Sequence, residues 1–284
     1  MPCGRPFFSA AVLRRCKPMT VSYFPGCTLK TKAKQLDFFA RACAAALGIT
    51  LEELPAWQCC GGVFNPVSDD IASKLSAVRA LSAARDAGQP LVSVCSACHN
   101  VLKQTNAAMC NDPDFALRVN RYITQEDQAQ AAPYHGETAV YHYLELLRDC
   151  VGFDRVAAAV KHPLTGMRIG AYYGCLLLRP SEVMAMDDPE NPRIFEDFIR
   201  ALGAEPVIYA LRNECCGGYI TMEEPALAQK KSTAILNNAA AQGADLLITA
   251  CPLCRYNLVK NGAGDLPVVY FTELLARALG ITEE

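Results

Sequence analysis

Ten of the fifteen cysteines in this chain form one five-cysteine pattern written twice. The first copy is Cys27, then Cys59-Cys60-Gly61-Gly62, then Cys95-x-x-Cys98. The second is Cys175, then Cys215-Cys216-Gly217-Gly218, then Cys251-x-x-Cys254. In both copies 34 residues separate the adjacent pair from the Cys-x-x-Cys. A repeat of this kind constrains the fold more than any local propensity, because each copy must bring its own five thiols together. Two matched thiol nests imply two matched metal centres, since soft thiolate donors select zinc or iron–sulfur.

Composition narrows the setting. With 284 residues and 51% hydrophobic content the chain can bury one or two ordinary cores. A formal charge of -2 gives no basic excess for nucleic acid. The longest apolar stretches, such as 42–49 and 246–250, are too short for a membrane span. An apolar run over 6–13 precedes Arg14 and Arg15, the reverse of a secretory signal, so a cytoplasmic, reducing setting is expected. There thiols bind metals rather than form structural disulfides. Adjacent cysteines also rarely bridge each other, because that ring strains the intervening peptide.

The repeat extends past the cysteines. Val140-Tyr141-His142 followed by Glu145-Leu146-Leu147 matches Val269-Tyr270-Phe271 followed by Glu273-Leu274-Leu275. Gly48 and Gly203 close matching helices as C-cap residues. The expected organisation is an N-terminal extension over 1–19, expected to be flexible, a first domain over 20–163 and a second over 164–284. The first copy carries about 28 extra residues after Cys98, with a helical insert at about 112–137 whose apolar face is Leu117, Tyr122 and Ile123. The second carries about eight extra residues after Cys175, where Asp187-Asp188-Pro189-Glu190-Asn191-Pro192 must be a loop because proline blocks a helix interior.

Strand and helix patterns alternate. Strands are expected at 20–24, 51–57 and 91–94, then at 167–172, 205–210 and 245–249, with 268–271 beyond; helices at 69–87 and 223–242 fill the 34-residue gaps. This predicts an α/β fold of two pseudo-symmetric, Rossmann-like halves, each a short parallel sheet flanked by helices with one site. Cys27, Cys59-Cys60 and Cys95 each follow a strand's carboxyl end, the edge where open α/β sheets bind ligands. The paired glycines Gly61, Gly62, Gly217 and Gly218 suit a tight turn with backbone close to a bulky cofactor.

Five thiols per nest exceed the four that zinc takes, yet dropping one leaves a zinc-sized set, so zinc in one site stays open beside iron–sulfur. Buried thiols packing as small hydrophobes would not produce the repeated spacing. Cys95-Ser96-Ala97-Cys98-His99 also fits a haem-attachment pattern, but Arg255 replaces the histidine in the second copy, and we read His99 as a helix N-terminal residue near the site. Tyr23, Tyr172 and Tyr173 adjoin the cysteines and are read as packing at strand ends rather than as proton donors. Cys43 and Cys150 are read as core residues, and Cys3, Cys16 and Cys110 receive no role.

The Cys-x(31–39)-Cys-Cys-Gly-x(33)-Cys-x-x-Cys element resembles the cysteine-rich CCG domain, and two in tandem over 20–284 resemble the B-type subunit of heterodisulfide reductase. The Asp187–Pro192 loop and the Phe195–Gly203 helix add to the resemblance. It implies a noncubane 4Fe-4S cluster in each nest, held by Cys27, Cys59, Cys60, Cys95 and Cys98 in the first and by Cys175, Cys215, Cys216, Cys251 and Cys254 in the second. It further implies clusters facing each other across a cavity, and an oxidoreductase acting on a sulfur group, with two one-electron transfers opening one disulfide. The chain lacks a Cys-x-x-Cys-x-x-Cys-x-x-x-Cys run, so electrons must arrive from another polypeptide. The resemblance supplies two partners, a ferredoxin-like protein of the C type with cubane 4Fe-4S clusters and a flavin-containing protein of the A type; the polar insert is a docking surface or a solvated connection. Related subunits serve fumarate reductase, glycolate oxidase and lactate utilisation. An electron relay to another acceptor is therefore the second reading, and a non-catalytic zinc scaffold the third. No motif names the disulfide.

Overall fold

Met19–Tyr23 (β1) is apolar and buried along its carboxyl-terminal part. A strand covered on both faces in this way belongs inside a parallel sheet. The computed structural model describes residues 19–62, 71–126 and 132–282. In it, β1 shares a sheet with β2 (Ile49–Glu53), β3 (Leu91–Ser93) and β4 (Val140–His142). A second sheet holds β5 (Arg168–Tyr172), β6 (Glu205–Val207), β7 (Leu246–Thr249) and β8 (Val268–Tyr270). The orders are β2-β1-β3-β4 and β6-β5-β7-β8, with every neighbouring pair parallel.

The helices of the first half are α1 (Cys27–Thr31), α2 (Lys34–Ala46), α3 (Ala72–Asp86), α4 (Ser96–Asn111), α5 (Pro113–Glu126) and α6 (Tyr143–Glu145), the last continuing as a wider turn over Leu146–Val151. Then come α7 (Phe153–Ala159), α8 (Ser181–Met184), α9 (Ile194–Ala201), α10 (Pro225–Ala241), α11 (Pro252–Asn261) and α12 (Phe271–Leu279).

The expected pair of α/β halves is therefore present, with three adjustments, one being that β6 stops at Val207 rather than at 210. Val140–His142 pairs with Leu91–Ser93, so the first sheet has a fourth strand equivalent to β8. The second strand starts at Ile49 and stops at Glu53 rather than spanning 51–57. It lies at the sheet edge, and its alternation of buried and exposed residues reflects one solvated face. Gly48 and Gly203 take positive φ at the ends of α2 and α9, as their C-cap reading requires.

Strand order positions the sites. From β1 the chain crosses to β2 on one side, then returns so that β3 lies on the other side. The gap between the carboxyl ends of β1 and β3 is thus a topological switch point, and β5 and β7 make its twin.

The larger hydrophobic core runs across both halves, and a second, smaller one lies within the second half. Phe271, at the start of α12, is fully buried. Its ring lies 5.9 and 6.0 Å from those of His142 and Tyr143, and 5.8 and 5.9 Å from Phe195 and Phe198. Tyr143 Oη donates to the Ala40 carbonyl at 2.9 Å, and Cys43 Sγ lies 3.6 Å from the Thr272 carbonyl. Cys43 is accordingly a core residue, and Cys150 is half-buried against the same core.

The insert departs from expectation in phase. Phe115, Ala116 and Val119 are buried and Ile123 packs beside them, whereas Leu117 and Tyr122 are exposed. Positions 115, 116, 119 and 123 share one helical face; 117 points away from it, and 122 lies at its edge. Asn120 clamps the returning chain through Tyr134, accepting its amide at 2.9 Å and donating to its carbonyl at 3.0 Å. Residues 127–131 of the insert, the 1–18 extension and its Cys3 and Cys16 lie outside the described residues. Cys110, on α4, is disulfide-bonded, contrary to the expectation of free thiols throughout.

Candidate metal centres

Each five-cysteine set leaves its sheet along one edge. Cys27 opens α1 directly after β1. Cys95 precedes α4, and Cys98 sits in that helix's first turn. Cys251 and Cys254 stand in the same relation to α11. The amino end of a helix carries partial positive charge and exposed amides, which favour thiolate.

The side chains converge within each half. Cys59 Sγ lies 3.4 Å from Cys27 Sγ, and Cys60 Sγ lies 3.4 Å from Cys98 Sγ. Cys216 Sγ lies 3.8 Å from Cys254 Sγ. Cys95 joins through Cys98, Cys175 through Cys215, and Cys251 through Cys254. All ten thiols are free. The first nest opens to solvent through Cys27 and Cys59, while Cys175 and Cys215 are half-buried in the second. Among the described residues no three Cys, His, Asp or Glu donors converge on one point as a single ion requires.

Neighbouring thiols displace each other's proton affinities. The Cys98 thiol holds Cys60 down to about 7, with the Gly62 amide assisting, and burial pushes Cys59 up to about 11. In the second nest Cys175 holds Cys215 low, and Cys254 lowers Cys251. Thiols of lowered and raised proton affinity thus sit side by side in each nest, a donor set suited to a thiophilic metal or cluster.

Glycines shape both nests, including two that the cysteine pattern alone does not single out. A Cβ on Gly26 would fall 2.6 Å from Cys98 Sγ, and one on Gly174 would fall 3.1 Å from Cys254 Sγ, both at positive φ. A signal for them exists, since both copies read Gly-Cys at the first cysteine. Of the four expected glycines, Gly61 and Gly217 adopt positive φ. A Cβ on Gly62 or Gly218 would lie 3.4 Å from Cys60 Sγ or Cys216 Sγ. These turns therefore bring backbone against thiols, as a cofactor cradle requires.

The two nests face each other. Ser96 N–H, between Cys95 and Cys98, donates to the Ala250 carbonyl at 3.2 Å, immediately before Cys251. The Ala97 amide of the first half reaches the Cys251 sulfur and helps to lower its proton affinity. Tyr219 Oη donates to the Gly62 carbonyl. Asn100 Nδ2, on α4, donates at 2.8 Å to both the Leu176 and Arg179 carbonyls, fixing the turn after Cys175. Ser96, Asn100 and Tyr219 carry no sequence signal of this role, because each acts across the repeat.

Other expected residues resolve simply. Tyr23, Tyr172 and Tyr173 are buried; their hydroxyls bond Asp37, the Glu214 carbonyl and Glu196. They are packing residues. His99 is fully buried, with Nε2 3.1 Å from Glu145 Oε2 and its ring edge-on to His142, an arrangement unlike a haem ligand's. The Asp187–Pro192 segment is a loop: Asp188 Oδ1 accepts the Glu190 and Asn191 amides at 2.9 and 3.2 Å. Asn213 Nδ2 ties that loop to the approach of Cys215 through the Pro189 carbonyl at 2.7 Å.

Comparison with known proteins agrees with this architecture. The model of the CCG family, "Cysteine-rich domain", matches residues 21–103 and 169–259. The chain is 29% identical to the 8-methylmenaquinol:fumarate reductase membrane anchor subunit of Wolinella succinogenes, over 92% of each chain. It is 27% identical to a protein of Archaeoglobus profundus described as like the B-type subunit of heterodisulfide reductase, over 92% of this chain and 91% of the relative. It is 26% identical to the B-type subunit of the ferredoxin/F(420)H(2)-dependent CoB-CoM heterodisulfide reductase of Methanosarcina acetivorans, over 93% and 90%. The crystal structure of a hypothetical protein from Helicobacter pylori superposes with a TM-score of 0.71 at 14% identity. That match covers 94% of this chain but only half of the Helicobacter pylori chain, and it shows the fold alone. Among the described residues no helix is long and apolar enough to cross a membrane.

Proposed function

Since the chain belongs to the CCG family of cysteine-rich domains, we propose that it is the disulfide-reducing iron–sulfur subunit of a heterodisulfide-reductase-like complex. The observation that carries this reading is the apposition of two matched five-thiol nests, joined at Ser96 and Ala250. Reductive opening of a disulfide consumes two electrons and two protons and yields two thiols, so a pair of one-electron centres matches the stoichiometry.

In this reading Cys27, Cys59, Cys60, Cys95 and Cys98 hold one noncubane 4Fe-4S cluster, and Cys175, Cys215, Cys216, Cys251 and Cys254 hold the other. When bound, the clusters supply one-electron transfer and a soft Lewis acid for sulfur. The donors suit such a group. Five thiols around each cradle exceed the four that zinc takes. Gly26 and Gly174 keep the cradle free of side chain beside Cys98 and Cys254. The amides of Gly62, Leu253 and Ala97 stabilise thiolate. The Ser96–Ala250 bond and the Asn100 clamp hold the nests in register. Electrons would come from a ferredoxin-like protein of the C type with cubane 4Fe-4S clusters, fed by a flavin-containing protein of the A type.

One observation favours a second reading. The similarity to a fumarate reductase subunit extends over 92% of both chains. A relay that passes electrons to a neighbouring oxidoreductase or protein-bound sulfur is therefore the alternative. Anaerobic purification followed by iron and acid-labile sulfide analysis should give about eight irons per chain; one or two zincs instead would overturn both readings. Reduced viologen with 2-hydroxyethyl disulfide then separates the two, because a relay protein leaves that disulfide intact. A Cys59→Ser, Cys60→Ser variant that still turned over the disulfide would exclude the two-centre scheme.

A further inference from the structure

We propose that Tyr219 is a positioning residue: it pins the second thiol nest to the first and walls the seam through which an acceptor reaches both. The inference rests on the two-centre reading above and assigns a part of that site to a side chain outside the cysteine pattern.

Tyr219 lies in the tight turn Gly218–Ile220, directly after the Cys215–Gly218 motif. Its hydroxyl crosses the repeat and donates to the carbonyl of Gly62, the last glycine of the matching motif in the first half. Its surroundings come from both halves. Burial raises the hydroxyl's proton affinity, and the charges of Cys251 and Cys175 from its own nest and of Cys60 and Cys95 from the other raise it further. Yet 42% of the residue remains exposed, so the ring stands between the thiols and solvent.

The base of this latch is rigid. Thr221 Oγ1 donates to the Gly217 carbonyl at 3.1 Å and lies 3.1 Å from Asn257 Oδ1. Asn257 Nδ2 in turn donates to the Cys216 carbonyl. A Cβ at Gly218 would meet Leu253 at 2.9 Å, so the turn is seated on α11. With its base fixed at one nest and its tip bonded at the other, Tyr219 sets the spacing between them. The repeat is broken here: the residue after the first glycine pair is Val63, which has no hydroxyl to return the bond.

Tyr219→Phe keeps the ring and removes the donor, and Tyr219→Leu removes both. With metal-loaded full-length protein, iron content should match the parent in the Phe variant. Iron release to bathophenanthroline should rise about threefold in Tyr219→Phe and further in Tyr219→Leu, as expected for loss of one hydrogen bond and then of the ring. With 2-hydroxyethyl disulfide, KM should rise about tenfold while kcat stays within about twofold. Unchanged release rates in both variants overturn the proposal. So does iron missing from Tyr219→Phe as purified, which would make the tyrosine a folding element. If the parent protein reduces no disulfide, the proposed function fails while the release rates still decide the role of Tyr219.

Discussion

The backbone amide of Ser96 donates to the backbone carbonyl of Ala250 at 3.2 Å, so the Cys-x-x-Cys loop of one half is hydrogen-bonded to that of the other. The bond is made once. The equivalent of Ser96 in the second half is Pro252, which has no amide hydrogen to return it. Ser96 is also the first residue of α4, where proline is well tolerated, and Cys95 before it is extended, as a pre-proline residue should be. Ser96→Pro should therefore preserve α4 by circular dichroism. It should lower unfolding free energy in urea by about 1 kcal/mol, the net worth of one buried hydrogen bond. A stability equal to the parent's would show that the link contributes nothing.

Gly26 and Gly174 make a matched pair of tests. Alanine at Gly26 places Cβ 2.6 Å from Cys98 Sγ, and at Gly174 3.1 Å from Cys254 Sγ. Positive φ adds backbone strain of about 1–3 kcal/mol in either case, and Gly26, with ψ of 163°, lies in a region almost only glycine occupies. Gly26→Ala should lose about half the bound iron while the second nest fills normally, and Gly174→Ala should lose less. Iron and sulfide per chain, with electron paramagnetic resonance of the remaining centre, measures both. Full loading of Gly26→Ala would contradict the cradle.

Phe271 couples the halves through rings on both sides of the interface. Its truncation leaves a cavity in the shared core. Phe271→Ala should cost about 3–5 kcal/mol. Because the larger core spans both halves, tryptophan fluorescence from Trp57 and far-ultraviolet circular dichroism should still report one coincident transition. Two separated transitions in the parent protein would contradict a common core.

His142 should make the fold acid-sensitive. Burial, then the neighbouring His99, lowers its pKa from 6.5 to about 3. Its Nδ1 accepts the Leu144 amide at 3.1 Å, and its Nε2 lies 3.1 Å from the Val94 carbonyl, so the neutral ring is the one that fits. The folded state then binds fewer protons than the unfolded state between pH 6.5 and about 3. Stability from this group is complete above pH 6.5 and is lost as pH falls through that window, at up to about 1.4 kcal/mol per unit. Urea titrations across the window should show this slope, and His142→Gln should flatten it. An identical slope in the variant would assign the acid sensitivity elsewhere.

Much of the molecule is legible in its residues alone. Strand and helix alternation around two copies of the cysteine pattern points to the α/β halves, because hydrophobic period and glycine positions are local signals. The helix over 72–86 falls inside the expected 69–87, and the Asp187–Pro192 loop follows from its prolines. The insert's apolar face is misread from sequence because Leu117 is large but sits out of phase with Phe115, Val119 and Ile123, while Tyr122 stands at the edge of that face, and only packing shows which side chains turn inward.

The sequence by itself determined that two sets of five thiols would gather at two strand-end sites, since the spacings and parallel crossovers leave each set nowhere else to meet. Only the tertiary structure decided which residues hold the two gatherings against one another. That arrangement depends on Ser96 with Ala250, Asn100 with Leu176, and Tyr219 with Gly62. Tyr219 and Gly62 are separated by 157 positions along the chain. Contacts of that span leave no periodic trace in the residues that make them, because their partners are backbone carbonyls, which every residue possesses.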